Sequence, residues 1–416
     1  MTVITIIDRP CGFGKSTGLI ADLKANINNL NYLLVVPELS EIKRFLDDVG
    51  SDLKTPLVEE NRIKGGEANN KTDVLIDLLS QGENVVITHA LYERIRKFER
   101  HLHKYHVIID EVPTVAKQVP TTFGTATFKH HLDNKGYIQI DPKTKLITPT
   151  NKWLINEDEY TEGSDKDIQK FMATISNADV FYVSGTYCVM PLPDAFFTKP
   201  KSLTILTFMF TGTQLHHYMN MRDYKYSIEN CPNELARFKW EMNKNLLVYN
   251  NTASTKTGYT AMISKPSKSR KKVGNFIKNA LQRLRKKGIC IDVDKILVAS
   301  HKDAWFGVDE NSVSAVSNST RLKSLSKIGQ ATYTAMTTRG TNKFKKLYVL
   351  VLMGKLNINP NLAEFLGMRT KQTKDAYVLS ELIQLIYRTA IRNKEETLLF
   401  SADKENIRLL KEFLNT

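Results

Sequence analysis

TVITIIDRPCGFGKST, residues 2–17, joins an apolar β-branched run to a glycine-punctuated turn. Val3, Ile4, Ile6 and Ile7 suit a buried strand ending at Asp8, and LIADLKANI just beyond suits a helix. Strand, glycine turn and helix in that order are what a phosphate-binding loop requires. Gly12 and Gly14 let backbone N–H groups close around phosphate oxygens with no Cβ in the way. Lys15 supplies a point charge for the β- and γ-phosphates, and the Ser16 hydroxyl is placed to ligate Mg²⁺. The helix start adds partial positive charge. Arg9, Cys11, Phe13 and Thr17 complete the loop, with Arg9 standing where the strict pattern has glycine. The expected ligands are therefore ATP and Mg²⁺.

Outward from the loop, apolar strand-type runs alternate with helix-type segments at residues 31–46, 71–82, 83–95 and 104–112. Such alternation predicts a mostly parallel α/β sheet covered on both faces. Residues 113–165 lose the alternation: YIQIDPKTKLIT reads as two short strands about a turn, and NEDEYTEGSDKD is acidic and polar. This stretch is expected to be a small insertion in a first domain spanning 1–240. DVFYVSGTY (179–187) and SLTILTFMF (202–210) restore the strand pattern. A second α/β domain is expected over 241–416, with core-type strands in DKILVASH, KKLYVLVLMG and ETLLFSAD. Ahead of them, SRKKVGNFIKNALQRLRKKG has an apolar stripe at helical spacing, a Lys/Arg face and Gly288 as its stop.

The chain has 416 residues, 42% hydrophobic and 25% charged, as an ordinary globular protein does. No apolar run approaches the roughly 18–20 residues of a membrane span, and a core-type strand at the start argues against a signal peptide. Cys11, Cys188, Cys231 and Cys290 show no C-x-x-C pairing and suit reduced thiols in a cytoplasmic setting. The net charge of +15 is lopsided: residues 241–416 carry about +17 and residues 1–240 about −2. A basic half predicts a track for a polyanion, with solubility charge as the plainer alternative.

HVIIDEV puts Asp110 and Glu111 at the carboxyl end of an apolar strand, where α/β sheets open their ligand crevice. Asp110 suits the water shell of a nucleotide-bound Mg²⁺, and Glu111 suits positioning of an attacking water. Ser184, Gly185 and Thr186 form a small polar cluster after another strand. In AYVLSELIQLIYRTAIRNK, Gln384, Arg388 and Arg392 recur every four residues and are expected on one helix face. Facing a nucleotide, the two guanidinia would neutralise charge developing on the γ-phosphate.

The order of these strings, with PELSEI, ITHA, SH and TTRGTN, resembles a superfamily 2 helicase or translocase of the compact viral or bacteriophage replication type. The resemblance implies two RecA-like P-loop NTPase domains with ATP in the cleft between them and nucleic acid, DNA rather than RNA, lying across both. It implies strand contacts at Pro37, Thr88 and His89 in the first domain and at Ser300, His301, Thr338 and Arg339 in the second, with Gly340 beside the nucleotide. Ser184, Gly185 and Thr186 would couple the two sites, and the arginine finger falls on Arg388 or Arg392. Tyr387 before Arg388, and a spacing of four between the arginines rather than three, depart from the family pattern. The implied activity is that of a nucleic-acid-stimulated ATPase and translocase, a DNA helicase acting in replication or recombination as a monomer with replication proteins as partners. A viral DNA-packaging ATPase and an ATP-switched nucleic-acid-binding module are the alternatives. Tyr137, Trp153 and Trp305 are candidates for separating strands, with core packing as the other reading.

Overall fold

The computed structural model describes residues 2–56, 70–119, 128, 134–156, 165–263, 268–289, 291–301, 305, 331–337 and 343–415. Its strands are β1 (Val3–Asp8), β2 (Asn31–Val36), β3 (Leu53–Lys54), β4 (Asn84–Thr88), β5 (Tyr105–Asp110), β6 (Ala116–Val119), β7 (Ile138–Ile140), β8 (Leu146–Pro149), β9 (Val180–Ser184), β10 (Tyr187–Pro191), β11 (Ser202–Thr207) and β12 (Ser227–Asn230). The remainder are β13 (Leu246–Tyr249), β14 (Ile296–Ser300), β15 (Thr332–Ala335), β16 (Val349–Leu352) and β17 (Thr397–Ser401). They form three sheets: β12-β1-β11-β5-β2-β4-β3, β6-β10-β9-β8-β7 and β13-β17-β16-β14-β15. Every pairing in the first and third sheets is parallel. The fold is α/β with mostly parallel sheets, as the alternation predicts.

The apolar runs explain the layering. Leu33, Leu34, Val35 and Val36 are all buried, as are the four residues of β16, so both faces of these strands are covered. One buried apolar cluster runs from Ile4 and Leu203 on the first sheet through Phe238 to Leu350 and Leu382 beside the third. The linker helix Pro232–Asn245 carries the chain between the two sheets, starting with proline at its first turn. The basic helix Lys268–Lys286 buries Val273, Ile277 and Ala280 and leaves its lysines outside. Among the described residues no helix is long and apolar enough to cross a membrane.

The middle sheet differs from the sequence reading. VFYVS (β9) does not rejoin the parallel sheet but pairs antiparallel with β8 and β10, and β10 with β6. The inserted unit therefore extends beyond residue 165 to Pro191. An apolar run ending in a small polar turn fits a hairpin as well as a parallel strand, and here the turn Ser184–Tyr187 is too short for a crossover. Tyr137 and Trp153 belong to that unit's own core, and Trp305 stacks on Tyr333 in the core of the third sheet, so all three pack rather than present to a strand.

The arginine helix Lys371–Ile386 also stops earlier than the four-residue spacing implies. Thr389 is extended (φ −82°, ψ −171°), its hydroxyl donates to Ile386 O at 2.7 Å, and a 3-10 turn Ala390–Asn393 follows. Gln384 is helical, Arg388 lies in the turn beyond the helix, and Arg392 lies in the 3-10 segment. One stripe of a continuous helix is thus not what unites them.

That helix meets the first sheet at the turn Phe210–Gly212. A Cβ added to Gly212 would lie 2.5 Å from Ala376 O, a backbone atom with no room to retreat. Gly212→Ala is expected to destabilise by about 1–3 kcal/mol, read as a lowered Tm in thermal melts. Gly18→Ala, at a helical position with nothing within 4 Å of the added carbon, should not lower Tm.

Candidate nucleotide site

Three neighbouring strands of the first sheet end level with one another. Asp8 pairs with Thr207 and Leu206 with Asp110, so the glycine loop before Lys15, the turn after β11 and Glu111 leave one carboxyl edge together. Arg9 N–H donates to Thr207 O at 3.1 Å and Glu111 N–H donates to Leu206 O at 3.0 Å, pinning the two outer loops to β11. Glu111 takes a left-handed backbone (φ 65°), uncommon outside glycine and a local strain held by those contacts.

Within the loop, Gly12 (φ 80°) and Gly14 (φ 74°) adopt the conformations that only glycine takes freely. Lys15 Nζ donates to Arg9 O at 2.7 Å and to Pro10 O at 3.3 Å, folding back over the loop's own carbonyls. Ser16 Oγ donates to Asp110 Oδ2 at 3.1 Å. The hydroxyl and carboxylate expected to share a cation are in contact, although 94 residues separate them in sequence. Burial, then the neighbouring Glu111 charge, pushes the Asp110 pKa up to about 6 against the lowering effects of Ser16, Lys15 and Arg44. The Cys11 thiol is likewise pushed up, chiefly by burial.

Opposite stands the end of the arginine helix. A cavity of about 430 Å³ is lined by Cys11, Gly12, Gly14, Lys15, Ser16, Thr17, Pro37, Asp110 and Glu111 from one side and by Gln384, Tyr387, Arg388 and Arg392 from the other. Arg388 is buried at 6% exposure, and its Nη2 lies 3.8 Å from Glu111 Oε2. The sequence-based set is brought together here, from opposite ends of the chain.

Other expected positions lie elsewhere. Arg9 forms a two-pronged ion pair with Glu234 of the linker helix, 2.8 Å at Nε, and so fastens the loop rather than lining the cavity. Phe13 packs edge-on against Phe238. Thr88 precedes a short helix at the end of β4, and His89 Nε2 lies 2.9 Å from Asp110 O, behind the carboxylate. Ser184 donates to Asn361 Oδ1 at 3.2 Å, so with Gly185 and Thr186 it joins the inserted sheet to the segment Pro360–Phe365, away from the cavity. Ser300 is buried at the end of β14, and His301 meets the Tyr259 ring edge-on. Thr338, Arg339 and Gly340 lie outside the described residues.

The sequence reading missed the turn after β11. Leu206, Thr207 and Phe208 line the cavity, and Phe210 N–H donates to the half-buried Asp8 carboxylate at 2.9 Å. Asp8 is itself pushed upward by burial. Gly212 and Ser380 then connect this turn to the arginine helix. FTGT (210–213) is the same kind of string as VSGT (183–186), and only pairing shows which strand enters the parallel sheet. Arg44 and Glu41 were also unforeseen cavity residues.

Comparison with known proteins gives three findings. A family model described as the YonV C-terminal Rossmann-like domain matches residues 240–414. Over its whole length the chain is 21% identical to the SPbeta prophage-derived uncharacterized protein YonV of Bacillus subtilis (strain 168), covering 99% of that protein. Among solved structures, the DUF1998 helicase MrfA, alone and bound to DNA and AMPPNP, aligns with TM-scores of 0.37 and 0.36 at 11% identity. Those alignments take in 99% and 100% of this chain and 48% of MrfA, so the chain spans about half the length of the solved structures it matches.

Because the folded pKa of Asp110 lies above the ordinary 3.8, the folded state holds the extra proton between that value and about 6. Stability from this group therefore falls as pH rises through that window, and the ionised carboxylate is a net cost at neutral pH. In the nucleotide-free protein, Asp110→Asn should raise Tm near neutral pH and shift it much less below the ordinary carboxylate pKa, as thermal melts across pH would show.

Proposed function

We propose that this chain is an ATP-driven nucleic-acid motor, with ATP hydrolysed in the cavity between the first and third sheets. The observation that carries the reading is the shared lining: Lys15, Ser16 and Glu111 on one wall, Gln384, Arg388 and Arg392 on the other. Each wall alone would bind a polyanion; both together make hydrolysis sensitive to how the halves approach, which is what a motor needs. On this reading the halves are two RecA-like domains, 1–240 and 241–416, the first carrying the inserted sheet.

Lys15 would leave its two loop carbonyls for the β- and γ-phosphates. Ser16 and Asp110 fit a Mg²⁺ carried in with the triphosphate, which needs few protein ligands; the ion would offset phosphate charge there. Glu111 would orient the attacking water, held at the strand end by its backbone bond to Leu206. Arg388, buried and beside Glu111, is the finger, and Arg392 adds positive charge at the rim. The nucleic acid would run over the basic half, with its +17 among residues 241–416; DNA rather than RNA is the substrate this reading favours.

Glu111→Gln is expected to cut ATP turnover by about 10²–10⁴-fold with AMPPNP affinity retained. Arg388→Ala should cut it by about 10³-fold or more, and Arg392→Ala by less. Single-stranded DNA should stimulate the wild-type ATPase, and its affinity should fall steeply with salt. Hydrolysis indifferent to DNA and RNA alike, or a flat salt dependence, would count against a motor and for an ATP-operated switch.

A further inference from the structure

Tyr387 occupies the turn from the arginine helix into Arg388, and nothing above assigns it a part. Its ring lies on Phe238 with centroids 5.3 Å apart and planes at 39°. Phe238, fully buried, packs in turn on Phe13 of the phosphate-binding loop (6.3 Å) and on Phe208 after β11 (5.1 Å). The side chain, 8% exposed, is therefore aimed by apolar contacts from both halves. What it is aimed at is the loop: a Cβ built on Gly12 would lie 2.0 Å from the Tyr387 hydroxyl oxygen.

The hydroxyl has donor capacity that no acceptor among the described residues takes up. Among the described residues Tyr387 Oη makes no hydrogen bond. The carbonyls of Arg9 and Pro10, at the opening of the loop, are engaged by Lys15. The cavity it lines holds the donors Lys15, Arg388 and Arg392, which accept nothing, and the carboxylates of Glu41, Asp110 and Glu111, of which Asp110 accepts from Ser16 and Glu111 faces Arg388. Burial, with Cys11 next, holds its pKa up to about 12, so the proton stays in place under ordinary conditions. A free donor that opens on the cavity beside Gly12, on the loop side where Lys15 and the glycine amides are also donors, suits a ligand rich in lone pairs, and a polyphosphate is such a ligand.

We propose that the Tyr387 hydroxyl donates a hydrogen bond to a phosphate oxygen of the bound nucleoside triphosphate, so that the second half of the chain reads an occupied loop through a neutral donor beside its arginines. The assignment rests on the nucleotide reading of the cavity. It also gives Gly12 a second duty, since any side chain there would strike the tyrosine.

Tyr387→Phe keeps the ring on Phe238 and removes only the donor. In titrations of the full chain with AMPPNP and Mg²⁺, read by displacement of a fluorescent ATP analogue, the variant should bind roughly ten-fold more weakly with Tm unchanged. Tyr387→Leu should lose the same affinity and, in addition, lower Tm, because the aromatic contact goes too. Unaltered AMPPNP affinity in Tyr387→Phe would overturn the proposal and leave the tyrosine a packing residue, with the nucleotide site intact. Absence of AMPPNP binding by the wild-type chain would instead overturn the nucleotide reading, and this assignment with it.

Discussion

Phe238 is the contact on which the arrangement depends. It is a single side chain on the linker helix, yet it touches the phosphate-binding loop through Phe13, the turn after β11 through Phe208, and the arginine turn through Tyr387. Aromatic faces and edges carry directional preferences beyond their buried area, so this cluster sets angles as well as distances. The Arg9–Glu234 ion pair fixes the same helix to the same loop from the polar side. With the helix held at both points, the carboxyl edge of the first sheet faces the arginine turn that leads into β17 of the third sheet across one cavity.

The electrostatics of that cavity follow from the convergence. Asp110 and Glu111 are adjacent carboxyl groups at a partly dry strand end, and their mutual repulsion contributes to the raised pKa of Asp110. Arg388 offsets part of the charge from across the cavity, through its approach to Glu111. Cations from Arg44, Arg388 and Arg392 already line the cavity, whereas Lys15 is folded back on the carbonyls of Arg9 and Pro10. The left-handed backbone of Glu111 belongs to the same economy of strain, since it persists only because β11 ties it down.

Some parts were legible in the sequence because their signal is local. Residues 2–17 name a strand, a glycine turn and a lysine, and the geometry of such a loop is decided within about the same dozen residues by φ values that glycine alone adopts freely. The basic helix Lys268–Lys286 was legible for the same reason, its apolar stripe and Gly288 stop being adjacent in the chain. The arginines are an instructive case: a four-residue spacing suggested one helix face, whereas the helix ends at Ile386 and a Thr389 cap redirects the chain. They still converge, because a turn packed on Phe238 aims them, not because of helical periodicity.

Other parts depended on pairing between distant strands, which no local pattern encodes. VSGT and FTGT read alike, but β9 enters an antiparallel insert and β11 slots between β1 and β5 beside the cavity. Arg9 reads as one more residue of the nucleotide loop, whereas its side chain pairs with Glu234, 225 residues away. By itself the sequence determined an α/β chain with a strand–glycine turn–lysine loop, an acidic strand end and a basic second half, since β-branched runs, glycine turns and charge are properties of neighbours along the chain. Tertiary structure alone decided which strand lies beside that loop, which arginine is buried against Glu111 and what Tyr387 touches, because those are settled by burial and register between segments the chain keeps far apart.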